Sequence, residues 1–162
     1  MQLIDRNSSL WSYLTDDLKG LISDGEILLE QNNQAQNNLT DYSYLVFLFS
    51  KAYEGFLKKL FLDLKFIRED EYYGDDIRIG RILNPRFLDE HENVFKKLVS
   101  NEGTGEQLAA HLWELWKLGR NQVFHYFPHN FRRLSYQEAF DIIRDLIGGM
   151  EDATRLTYIV SK

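Results

Sequence analysis

The chain of 162 residues contains no cysteine, which excludes a disulfide framework and a thiolate-bound metal site. Its longest apolar runs, such as residues 44–49, are far too short to span a bilayer. Asp5 and Asn7 interrupt the start of the chain, which therefore lacks the apolar core of an export signal. These absences suit a reducing compartment, and we expect a cytoplasmic protein without a membrane partner.

The chain has few basic residues relative to acidic ones, with 19 lysine and arginine residues against 25 aspartate and glutamate residues and a formal net charge of −6. A broadly positive surface that steers RNA or DNA is therefore not expected. A protein that coats duplexes through many phosphate contacts is disfavoured for the same reason. Any nucleic-acid chemistry must depend on a local basic pocket.

The alternating apolar and polar residues of a half-buried strand are nearly absent, whereas helical periodicity recurs along the chain. Hydrophobic residues make up 44% of the composition, which is enough for one sizeable core. The pattern predicts an all-α bundle of about five helices in a single domain over residues 1–162. The first two helices are expected over residues 9–31 and 41–67, the second at the centre of the core, and residues 68–76 are expected to form an acidic loop.

The later helices are predicted from their start and stop signals. The third is expected to begin at Pro85, which needs no N–H partner at a first helical position. Residues 104–107 have the spacing of a capping box that opens a fourth helix, and Pro128 should end that helix. Residues 135–138 repeat the capping-box spacing and open a fifth helix, which the glycines at 148–149 are positioned to break or kink.

Residues 113–128 carry the strongest chemical signal. Residues four apart lie on one face of a regular helix, so Lys117, Asn121 and His125 are expected to form a polar row that orients the imidazole. Arg120 lies about 140° round the helix from His125. The two would therefore converge only if the helix end is distorted or a second copy of the chain contributes.

Residues 120–125, Arg-Asn-Gln-Val-Phe-His, match the motif of HEPN domains, which is an arginine, a polar residue, three further residues and a histidine. The chain also resembles that superfamily in placing the motif late in an apolar helix of a small bundle. The likeness covers roughly the second to the fifth helix. It implies a homodimer in which two motif helices meet about a twofold axis and form a composite ribonuclease site.

The chain is also similar to the C-terminal domain of RNase LS type toxins, which carry a basic residue and a glutamate three apart on an earlier helix of the site. Lys51 and Glu54 match that spacing, with lysine where arginine is expected. The alternative for Glu54 is an ordinary surface pair with Lys58, worth about 0.3 to 0.5 kcal/mol. The alternative for Lys51 is a solvated side chain.

The resemblance implies a metal-independent endoribonuclease that needs no cofactor, in which an RNA 2′-hydroxyl attacks the neighbouring phosphate and leaves a cyclic phosphate. His125 would be the general acid or base, since an imidazole exchanges protons near neutrality. Arg120 would bind the phosphate through its planar fork. Asn121 would orient the imidazole or bind phosphate, and Glu54 would transfer a proton or hold Arg120. The expected RNA contacts are Lys51 and Lys117.

The role implied is that of a toxin in a toxin-antitoxin or phage-defence system. In related HEPN toxins a partner enzyme modifies a tyrosine two residues after the histidine. Phe127 occupies that position here, which argues against such control but not against a protein antitoxin. The alternative is a catalytically inert HEPN-like adaptor that binds a protein partner or a nucleotide. The sequence contains no glycine-rich phosphate loop, no metal-ligand spacing and no serine or cysteine nucleophile arrangement.

Overall fold

The computed structural model describes residues 1–35, 39–90, 93–101 and 105–157. Within these ranges the chain is all-helical and has no strand, which confirms the predicted fold class, although it has eight α-helices where about five were expected. The helices are α1 Ser9–Tyr13, α2 Asp16–Ala35, α3 Ser43–Asp63, α4 Glu69–Tyr73, α5 Ile79–Ile82, α6 Val94–Ser100, α7 Gly105–Trp116 and α8 Tyr136–Leu156. None of these described helices is both long and apolar enough to cross a bilayer.

Helix α3 lies at the centre of the core, as predicted, with its most extensive contacts to α2 and α8. Ten of its 21 residues are buried, including Phe49 and Phe56. Burying each such side chain stabilises the fold by about 1.5 to 3 kcal/mol. The hydroxyl of Tyr53 donates to the carbonyl of Leu112 at 2.9 Å and so joins α3 to α7. The helix ends four residues earlier than predicted, shortly before Lys65 takes a left-handed conformation at φ 60°.

The first predicted helix is two helices with a break between them. The side chain of Ser8 caps α1 by accepting from the N–H of Trp11 at 3.1 Å. Leu14 then takes an extended conformation, with φ −65° and ψ 141°, while its side chain stays buried. Leu10, Leu14 and Leu18 are all buried, so both helices pack against the core on either side of the break.

The middle of the chain departs from the prediction in two places. The expected acidic loop at 68–76 contains the short helix α4, and Pro85 opens a single 3₁₀ turn, Pro85–Phe87, instead of the third helix. Helix α6 begins later because buried Asn93 caps it, accepting from the N–H of Lys96 at 2.9 Å. The Asn93 amide also donates to the carbonyl of Asn84 at 2.9 Å and so joins the start of α6 to the residue before the 3₁₀ turn.

The two predicted capping boxes have different outcomes. Thr104, expected to cap the fourth helix, lies outside the described residues. The second box is confirmed at the start of α8, where the hydroxyl of Ser135 accepts from the N–H of Glu138 at 3.2 Å. The Glu138 carboxylate accepts from the N–H of Ser135 at 2.8 Å and from its hydroxyl at 2.7 Å, and these two hydrogen bonds to the carboxylate lower the pKa of Glu138.

Helix α8 continues through Gly148 and Gly149 without a break, so the prediction of an interruption there is wrong. Gly149 faces α7, and a Cβ at that position would lie 2.1 Å from Cδ1 of Leu115. A Cβ on Gly148 would meet no atom within 4 Å. The absence of a side chain at Gly149 lets the two helices approach closely.

Candidate functional site

The regular helix ends before the motif. After α7 the residues Lys117–Asn121 form a π turn, in which hydrogen bonds reach five residues back, and the N–H of Gln122 donates to the carbonyl of Lys117 at 3.0 Å. The N–H of Phe124 donates to the carbonyl of Arg120 at 3.1 Å, and His125 follows beyond the helix. The predicted polar row of Lys117, Asn121 and His125 on one helix face is therefore wrong, because a regular helix does not extend that far.

Contacts from α3 and α8 hold this π turn. The hydroxyl of Ser50 donates to the carbonyl of Gly119 at 2.5 Å, and both residues are buried. A Cβ on Gly119 would lie 2.9 Å from Cδ2 of Leu146 and 3.3 Å from Oγ of Ser50. A side chain at this position would have to displace Leu146 and crowd Ser50, so the turn packs directly against its neighbours.

The next residue of the turn makes an ion pair with α3. Nη1 of Arg120 donates to Oε2 of Glu54 at 2.8 Å, with 49% and 25% of the two side chains exposed. Glu54 lies four residues after Ser50, on the same face of α3. The guanidinium carbon also lies 5.4 Å from the centroid of the Trp116 ring. Glu54 therefore pairs with Arg120, and not with Lys58 as in the alternative.

An open cleft of about 830 Å³ lies beside this ion pair. It brings together Arg120, Asn121 and His125 from the motif with Lys51 and Glu54 from α3. The three motif side chains are exposed to solvent. Arg120 and His125 thus reach the same cleft within one chain, because the helix end is distorted. The remaining lining residues are Leu18, Leu21, Phe47, Ser50, Gly55, Lys58 and Phe124.

The cleft differs in charge from the chain as a whole. Its lining contains three basic side chains, Lys51, Lys58 and Arg120, and a single carboxylate, that of Glu54. The full chain has a formal net charge of −6. The cleft therefore has a local excess of basic over acidic side chains, which the chain as a whole lacks.

One predicted RNA contact lies apart from the others. Lys117 pairs with Glu114 at 2.7 Å and its Nζ lies 5.9 Å from the centroid of the Trp113 ring. It is not among the residues that line the cleft. Lys117 begins the π turn, whereas Arg120 and Asn121 at the end of the turn lie at the cleft together with His125.

Sequence reasoning missed Phe47 and Lys58 as lining residues of the cleft, although their spacing along α3 could have indicated both. Phe47, Lys51, Glu54 and Lys58 recur at intervals of four, three and four, so they lie along one face of the helix. The pattern was hidden because α3 is strongly apolar, and Phe47 is indistinguishable in sequence from its buried neighbours. Phe47 is in fact 50% exposed.

Asp41 ties the segment after the motif to the start of α3. Its carboxylate accepts from the N–H and hydroxyl of Ser43 at 2.8 and 2.5 Å, from Nδ2 of Asn130 at 3.1 Å and from the N–H of Leu134 at 3.2 Å. Burial alone would raise the pKa of Asp41, but these hydrogen bonds outweigh it and lower the pKa. The return path from His125 to α8 is thereby tied to the start of α3.

Within the described ranges, no group of three or more histidine, aspartate or glutamate residues is placed to hold a metal ion.

The comparisons with known proteins add no relative. No protein-family model, curated protein or solved structure matches the chain. Its function is therefore inferred from the chemistry of the cleft.

Proposed function

We propose that the protein is a metal-independent endoribonuclease of the HEPN type. The observation that carries the proposal is the meeting of Arg120, Asn121, His125 and Glu54 in one solvent-reachable cleft with a local excess of positive charge. This set supplies a group that exchanges protons near neutral pH and a guanidinium for a phosphodiester. An acidic chain gains its affinity for RNA at this cleft and not over its whole surface.

The reaction is transfer of the phosphorus from O5′ to the neighbouring O2′. A base removes the proton of the 2′-hydroxyl, O2′ attacks phosphorus, and the bond from phosphorus to O5′ breaks while O5′ takes up a proton. The products are a 2′,3′-cyclic phosphate and a free 5′-hydroxyl. His125 carries these proton transfers, and in the proposed homodimer the His125 of the second copy is available for one of them.

Arg120 stabilises the charge that builds on the phosphorane oxygens. A guanidinium has five N–H donors, and Glu54 engages one of them at 2.8 Å. Arg120 lines the cleft and is half exposed, so its remaining donors can bind phosphate in charge-assisted hydrogen bonds that strengthen as the charge grows. We assign Glu54 to holding the guanidinium and Asn121 to orienting the imidazole or the phosphate, with Lys51 as an RNA contact.

The test is cleavage of single-stranded RNA by purified protein in EDTA. We expect cleavage that leaves cyclic phosphate ends, that falls about 100- to 10,000-fold in His125→Ala and that falls at least about 100-fold in Arg120→Ala. His111→Gln is the matched control, since this exposed histidine on α7 does not line the cleft. An RNA with 2′-deoxyribose at the cleaved position should resist the protein because it has no attacking hydroxyl.

Two results would contradict the proposal. Cleavage that persists in both His125→Ala and Arg120→Ala would place the chemistry elsewhere or in a contaminant. Intact RNA across a broad set of substrates would favour the inert HEPN-like adaptor, whose partner would then occupy the apolar side of the cleft.

The role and assembly have separate tests. A toxin should arrest its host on expression, and His125→Ala should relieve that arrest. A species that sediments as a monomer at micromolar concentration and still cleaves RNA would contradict the homodimeric composite site. A protein antitoxin would be expected to cover the cleft and restore growth without modifying position 127.

A further inference from the structure

Two phenylalanine side chains stand exposed at the cleft. Phe47 of α3 is 50% exposed and Phe124 of the motif is 40% exposed. Their ring centroids lie 5.7 Å apart with the planes at 85°, an edge-to-face pair. Both rings line the cleft that Arg120 and His125 line. Large apolar rings left open beside a polar centre mark a place where a flat apolar group can bind.

The two rings belong to the two segments that carry the basic residues of the cleft, α3 and the motif. Phe124 lies one turn after Arg120, and the N–H of Phe124 donates to the Arg120 carbonyl at 3.1 Å. Phe47 lies one turn before Lys51 on the exposed face of α3. Each ring is therefore followed or preceded by a cation at helical spacing, so the cleft offers an aromatic surface next to a set of positive charges.

A nucleotide has the complementary chemistry, since a flat aromatic base is joined through a ribose to a phosphate. We propose that Phe47 and Phe124 form a platform on which an unpaired base of the RNA packs while the adjacent phosphate binds Arg120. This inference rests on the proposed ribonuclease function and names its substrate class, single-stranded RNA or the unpaired part of a folded RNA. Bases in a duplex are stacked on their neighbours and cannot reach the platform.

The experiment measures binding of strands that cannot be cleaved. The probes are a fluorescent ten-residue 2′-O-methyl uridine strand and an abasic strand of the same length and charge, followed by anisotropy. We expect Phe124→Leu to weaken binding of the uridine strand about 5- to 100-fold, because stacking contributes about that factor per base. Binding of the abasic strand should not change.

Two control variants keep the result interpretable. Phe124→Tyr preserves an aromatic ring and should retain the parent affinity. Phe131→Leu removes a ring that is 66% exposed but does not line the cleft, and it should leave both affinities unchanged. A blunt duplex of the same length should bind more weakly than the uridine strand.

Several results would overturn the platform. The platform would be refuted if the parent bound the uridine and abasic strands with equal affinity, or if Phe124→Leu bound the uridine strand as tightly as the parent does. It would also be refuted if the duplex bound as tightly as the uridine strand. The platform and the proposed reaction fail separately. If His125→Ala abolishes RNA cleavage while Phe124→Leu binds like the parent, only the platform fails, and if base-dependent binding occurs without cleavage of any RNA, only the reaction fails.

Discussion

Removing the hydroxyl of Ser50 tests whether α3 holds the π turn. In Ser50→Ala the carbonyl of Gly119 loses the donor that lies 2.5 Å away, and both residues are buried. A buried carbonyl left without this partner costs about 1 to 3 kcal/mol. For a domain of this size, each kcal/mol lowers the unfolding midpoint by about 2 to 4 °C, so a fall of about 2 to 12 °C is expected.

The assay is thermal and urea unfolding followed by circular dichroism. Ser12→Ala is the control, because the exposed hydroxyl of Ser12 donates at 3.1 Å to the carbonyl of Ser8 within its own helix. That variant should stay within about 0.5 kcal/mol of the parent. If RNA cleavage is established, Ser50→Ala should also reduce it, since Arg120 follows Gly119 directly. A Ser50→Ala protein as stable as the parent would refute the assignment of the turn's support to this hydrogen bond.

Three further outcomes are expected. Gly149→Ala should lower the free energy of unfolding by about 1 to 3 kcal/mol in urea, because its Cβ would collide with Leu115, whereas Gly148→Ala should be neutral or stabilise by up to about 1 kcal/mol. Equal shifts in the two variants would contradict the close approach of α7 and α8. Asp41→Asn should unfold at a lower temperature than the parent at pH 7. Because the pKa of Asp41 is lowered in the folded protein, its carboxylate stabilises the fold above its ordinary pKa of 3.8, and the difference in unfolding temperature should close as the pH falls below that value. If the difference in unfolding temperature persists at low pH, the lower stability of Asp41→Asn is caused by packing and not by the charge. Lys117→Ala should leave RNA cleavage at the parent rate, and a strong loss would contradict its placement outside the cleft.

The sequence was sufficient for the features that depend on local pattern. The apolar periodicity of α3 and the Ser135 capping box are signals contained within a few turns of chain, and both are present in the structure. The all-helical class follows from the same periodicity. The candidate residues Arg120 and His125 could also be named, since they belong to one short motif.

Features that depend on distant contacts could not be predicted. The π turn is held by a hydrogen bond between residues 69 positions apart, and no local sequence pattern indicates this bond. The break expected at Gly148 and Gly149 is absent, and Gly149 serves the close packing of α7 and α8 instead of a turn. The ion pair of Glu54 with Arg120 likewise joins elements 66 positions apart, so sequence alone left Lys58 as an equal partner.

The carboxylate of Glu54 acts as a built-in counter-ion for the guanidinium. A phosphodiester that approaches Arg120 meets a negative charge already at 2.8 Å from Nη1, which weakens the attraction for a resting, singly charged substrate. The net attraction grows as more negative charge collects on the reacting oxygens. Under the proposed reaction, this arrangement would favour turnover over tight retention, so that RNA in the ground state is released readily and the arginine exerts its full effect only at the point of bond exchange.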